Sequence, residues 1–151
     1  MIGMAILQPV VVLAAWTMVM WVWMYATRLP AMRAAQIDTR NLVGSTPGGL
    51  DTMLPDKVQW KAHNYNHLHE APTVFYAVAI VLAIIGAGDG ANAVLAWVYV
   101  GLRIVHSLVQ AISNRVMVRF LIFALSSVVL MVLIFHAAIG VFDWHAVMVD
   151  R

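Results

Sequence analysis

Residues 103–123, RIVHSLVQAISNRVMVRFLIF, decide how the rest of the chain is read. Charged and polar residues punctuate an apolar run at helical spacing. Arg103, His106 and Gln110 stand at i, i+3 and i+7, so they share one face of a helix. Asn114 and Arg115 mark a turn, and a second apolar run then carries Arg119 close to its start. A guanidinium at the centre of a lipid-facing helix costs about 2.5–3.5 kcal/mol, and less near the ends. Two arginines on facing helices therefore either snorkel to the headgroups or enclose an anion site between helices.

The 151 residues are 63% hydrophobic and 11% charged, with a mean hydropathy of +0.85. A soluble domain is about half apolar and a quarter charged. The expectation is an integral membrane protein with one domain, residues 1–151. Cysteine is absent, which excludes a disulfide framework, a thiolate metal site and a cysteine nucleophile. The net charge is only +2 and the basic residues are scattered, which argues against a nucleic-acid partner.

Taken in order, Met1 to Ala26 carries no charge, and its length suffices to span a hydrocarbon core of about 30 Å. It lacks the basic start and small-residue cleavage site of a signal peptide. Trp16, Trp21, Trp23 and Tyr25 lean toward its far end as an interfacial belt would, and Arg28 and Arg33 close it. Residues 37–56 hold two prolines, three glycines and three aspartates. They read as a loop with a turn at Pro47-Gly48-Gly49, either a plain linker or a flap. The next run is polar through residue 70 and apolar to Gly86. Its His63, Asn66, His67 and Glu70 form a stripe at i, i+3, i+4 and i+7. Residues 86–90, GAGDG, read as a tight turn. His136, deep in the last run, suits a histidine bonded to a backbone carbonyl. The tail from 143 reads as short and interfacial. The pattern predicts an all-α integral membrane bundle of four transmembrane helices at about 4–35, 57–86, 92–112 and 116–142.

Charge placement orients it. Arg28, Arg33, Arg40, Lys57 and Lys61 flank the first connection and Arg115 lies in the third, with Arg103 and Arg119 nearby, whereas the other side offers Arg151. By the positive-inside rule both basic connections face the cytoplasm and both termini lie outside, in a bacterial-type inner membrane.

Two chemistries suit the polar residues. The pair His63-x-x-x-His67 with Glu70, and with His69 and His106 in reach, invites a metal reading. Asn64 follows His63, so the HExxH general base is missing, and the ligands are too few for a membrane di-iron enzyme. No metal is expected. The anion reading uses more residues. Arg28, Lys61, Arg103 and Arg119 donate without accepting, and Glu70 is the lone carboxylate near membrane depth. Such a set can hold a ligand with carboxylates and an amino group, and an arginine near a thiol favours the thiolate. Apolar walls would present a lipophilic small molecule from the membrane lipid.

Glu70-x-Pro72 with its aromatic-aliphatic run, Arg103-x-x-His106-Ser107, Asn114 and Arg119-Phe120 resemble the MAPEG family, the membrane-associated proteins in eicosanoid and glutathione metabolism. The resemblance covers the four spans, most strongly residues 57–135. It implies a homotrimer binding glutathione as co-substrate between protomers on the cytoplasmic side. On it, Arg119 is the catalytic residue at the thiolate. Glu70 and Arg103 match the glutathione site, His63 and Arg28 match it less specifically, and Lys61, Asn66 and His106 complete the binding set. Lys61 stands where an arginine is usual, His67 where asparagine is usual and Gln110 near a frequent tyrosine, while Phe120 and Phe123 replace hydroxyl residues of some catalytic members. The implied function is a glutathione-dependent transferase or peroxidase for small lipophilic electrophiles or hydroperoxides. The alternative is a non-catalytic lipid- or ligand-binding scaffold.

Overall fold

The computed structural model describes residues 2–38, 40 and 49–142. The expected Pro47-Gly48 turn, the flap and the tail from 143 lie outside the described residues. Helices run α1 Leu7–Ala34, α2 Leu50–Met53, α3 Asp56–His67, α4 Ala71–Ile84, α5 Ala91–Ile112 and α6 Val116–Phe142. Four segments are long and apolar enough to cross a membrane: α1, α3 with α4, α5 and α6. No strand occurs among the described residues.

Two expectations need correction. The predicted loop contains the short helix α2, onto whose Leu50 carbonyl the buried Gln59 side chain of α3 donates. The helix predicted over 57–86 is broken at residues 68–70. Pro72 explains the break: it has no N–H to give the Leu68 carbonyl, and its ring crowds that carbonyl. Glu70 takes φ −91° and ψ −100°, and the chain tightens into three-residue bonds, His69 N to Asn66 O and Glu70 N to His67 O.

The far end of the bundle is tied by backbone. Gly3 N donates to Ala83 O at 2.9 Å, Ile6 N to Gly88 O at 2.9 Å, and Ala5 N to Asp89 Oδ1 at 3.0 Å. A Cβ on Gly88 would stand 2.3 Å from Gly3 O, so this approach requires glycine. Nearby, His136 Nδ1 meets the Asn92 side-chain oxygen at 2.6 Å, not the backbone carbonyl expected for it. At the opposite end Asn114 takes φ +49°, the left-handed turn that Asn tolerates, and reverses the chain from α5 into α6.

The core follows the inner faces: Leu13 and Met20 of α1, Phe75, Ala79 and Leu82 of α4, Ala96, Tyr99 and Val100 of α5, and Leu133 of α6. The expected stripe of α5 is confirmed as an interior one, with Arg103, His106, Ser107 and Gln110 all buried.

Candidate functional site

The site grows from the break before α4 and the turn between α5 and α6. Arg103 sits mid-helix in α5 at 1% exposure, too deep to snorkel. The break in the second span leaves the His67 carbonyl without its four-residue helical donor, and Arg103 Nη2 approaches that carbonyl at 3.4 Å. Arg103 Nε and Nη1 have no hydrogen-bond partner among the described residues. The guanidinium instead lies 5.7 Å from the Phe123 ring of α6, a cation–π contact.

In front of it a cleft of about 240 Å³ is lined by His67, His106, Val116, Arg119, Phe120 and Phe123. The rings of His67 and His106 lie 5.0 Å apart, and Phe123 lies 5.7 Å from His67 and 6.3 Å from His106. Arg119 enters one turn into α6 and is anchored by Nη1 donating to the Asn114 side-chain oxygen, while its buried Nε has no partner. The α5–α6 turn thus aims the one guanidinium that lines the cleft.

Among the described residues, Glu70 does not pair with an arginine. Its carboxylate accepts from His67 Nδ1 at 2.6 Å and is 65% exposed. The pair stands at i, i+3, beside the tightened bonds of residues 68–70.

Behind the cleft, Ser107 Oγ accepts from Trp16 Nε1 at 3.0 Å and from Asn64 Nδ2 at 2.7 Å. One hydroxyl therefore joins α1, α3 and α5.

The expected site residues are thus distributed. Arg119 and His106 line the cleft, and Arg103 backs it. Asn66 and His63 are exposed on α3, on the outer surface of the protomer. Lys61 Nζ donates to Lys57 O at 2.7 Å and lies 5.6 Å from the Trp23 ring. Arg28 is half-buried on α1, outside the cleft. His67, set aside as a departure from the family pattern, is in the cleft, and Asn64 and Gln59 were not picked out although they hold the inner face of α3. Nothing in α3 marks that face, because the helix is polar all round; the signal lay in Ser107, four residues after Arg103 on the buried stripe. Among the described residues no three His, Asp or Glu side chains gather as metal ligands would.

A four-span, all-α membrane protein with a cationic, apolar-walled cleft at the basic end of its bundle is the class these features define. The chain belongs to the MAPEG family, whose model matches residues 6–139 and so reaches into all four spans. That family includes glutathione transferases and related membrane proteins. No curated protein and no solved structure matches the chain.

Proposed function

We propose that the cleft, completed by neighbouring protomers, binds glutathione and holds its thiol as the thiolate for transfer to a small lipophilic electrophile or for reduction of a hydroperoxide. The carrying observation is Arg119, a cation in an apolar-walled cleft with a buried, unpartnered Nε. The donor set fits an anionic thiol peptide: Arg119 in the wall, and Arg103 behind it with two unpartnered N–H groups and no carboxylate within ion-pair distance among the described residues. Each tenfold gain in thiolate needs about 1.4 kcal/mol of preferential stabilisation, within reach of one partly desolvated guanidinium. Val116, Phe120 and Phe123 offer the electrophile a surface continuous with the membrane.

Completion by other copies has its own support. A cleft of about 240 Å³ is below the roughly 300–1,000 Å³ of sites that enclose small ligands, and glutathione is a tripeptide. Asn66, His63 and Glu70 also lie on the outer surface of a transmembrane protomer, where a partner protomer would receive them. Native mass spectrometry in mild detergent is expected to show a homotrimer. The basic connections support a cytoplasmic-side cleft in a bacterial-type inner membrane. A reporter after Arg151 is expected outside the cytoplasm and one near Pro47 inside it.

The walls also favour a second reading, a non-catalytic ligand-binding scaffold, because no hydroxyl side chain lines the cleft beside Arg119. Ultraviolet thiolate absorbance during titration of the purified protein with glutathione separates the two. Saturable thiolate formation supports the enzyme; its absence, with no turnover of a panel of electrophiles, leaves the scaffold.

A further inference from the structure

Family pattern places asparagine where this chain has His67, and the structure gives that histidine a setting of its own. The Glu70 carboxylate lies 2.6 Å from His67 Nδ1. A carboxylate only accepts, so the imidazole proton resides on Nδ1 and the lone pair on Nε2. The ring lines the same cleft as Arg119. His106, the other imidazole there, has no carboxylate within ion-pair distance among the described residues.

We propose that His67, oriented by Glu70, is the general base that receives the thiol proton in this cleft. The inference rests on the reading of the cleft as a thiol site. Arg119 stabilises the anion that forms but has no capacity to accept a proton. A histidine whose Nδ1–H is held by a carboxylate has that capacity, and the carboxylate steadies the imidazolium it becomes. The steps balance. The S–H bond breaks, its proton passes to His67 Nε2, and the electron pair stays on sulfur. The thiolate then forms an S–C bond as the bond from carbon to the leaving group breaks, and the leaving group departs with that electron pair. The imidazolium returns its proton to water. The groups facing His67 are Glu70 beside it, Arg103 and His106 from α5, and Arg119 from α6. Arg103 and Arg119 are the two cations that face the ring, and the Glu70 carboxylate is the counter-charge to the imidazolium. Placement of a base here also answers the lack of a hydroxyl beside Arg119.

The test counts protons. The full-length protein is mixed with glutathione in weak buffer near neutral pH, and thiolate absorbance and proton release (by an indicator dye) are recorded together. The parent is expected to release clearly less than one proton per thiolate, because His67 retains it. His67→Asn and His67→Gln are expected to release one proton per thiolate and to lose about 10²-fold or more in kcat/KM with a chlorodinitrobenzene. Glu70→Gln, which keeps the imidazole, is expected to move toward the same ratio. Trimers by native mass spectrometry qualify each variant, and the two His67 replacements guard against one that misfolds. Equal proton release per thiolate in parent and variants overturns the dyad while leaving the thiol site standing. No thiolate in the parent overturns both.

Discussion

The two halves of the bundle are filled with different materials although the same helices build them. From Tyr99 toward the α4–α5 turn, Phe75 stacks on Tyr99 with centroids 4.5 Å apart, and Ala79, Leu82, Ala96 and Leu133 are fully buried. Toward the α5–α6 turn the interior holds Asn64, Arg103, His106, Ser107 and Gln110. Helix α5 shows the exchange most plainly: its buried face runs Ala93, Ala96, Tyr99, Val100, then Arg103, His106, Ser107, Gln110. The spacing does not change where the chemistry does. Helix geometry alone therefore fixes which positions face inward, and the residues placed there decide whether a half serves packing or binding. In lipid no hydrophobic force drives helix to helix, so the interior of one half is held by close packing and that of the other by side-chain hydrogen bonds, with the backbone ties at Gly3 and Gly88 closing the far end.

If that division is real, lesions in the two halves separate stability from chemistry. Phe75→Ala is expected to cost about 3–5 kcal/mol of stability, read by denaturation in detergent, with thiolate per folded molecule unchanged; a selective loss of chemistry would break the comparison. Arg119→Ala should behave in the opposite way. It is expected to lower kcat/KM by about 10²–10³-fold, or roughly 2.7–4 kcal/mol, with the trimer intact and the melting temperature retained. Asn64→Ala removes a bond joining α3 to α5, and a membrane interhelical hydrogen bond contributes about 0.6 and at most about 1.7 kcal/mol. Its signature is a small loss of stability together with weaker glutathione binding, since α3 carries His67. The smallest stability effect is expected for Glu70→Gln, under about 1 kcal/mol, because the carboxylate is 65% exposed. A larger destabilisation would show that it is buried in the assembled protein.

The apolar half was legible because composition and length suffice to read a span, and α6 starts at Val116, directly after Arg115. The α5 stripe was legible for a related reason: Arg103, His106 and Gln110 interrupt apolar neighbours, so their phase stands out. Helix α3 gave no such contrast. Its Gln59 and Asn64 are inside and its His63 and Asn66 outside, and with polar residues on every face the sequence carries no phase to tell them apart. The break at residues 68–70 was hidden differently. Pro72 is visible, but a proline two places into α4 signals a helix start, and the continuous apolar run beyond it outweighed that signal. Without the break in view, the approach of Arg103 to the His67 carbonyl could not be foreseen, although the stripe already set His67 and Glu70 three residues apart on one face.

The glycine contact at the far end sets an order of events in synthesis. Ala5 and Asp89 are 84 positions apart, and Trp16 finds its acceptor on Ser107, 91 positions later. Helix α1 precedes the other three spans, and these fastenings belong to chain that has not emerged when it enters the bilayer. It therefore inserts with the Trp16 indole N–H awaiting its partner until α5 follows. A nascent chain arrested before α3 is expected to hold α1 in the membrane without fixing its rotation about its own axis, because α1 packs against α3, α4 and α5. One arrested beyond Ser107 has both fastenings available, and disulfide scanning between α1 and α5 on stalled chains would show the moment at which that rotation stops.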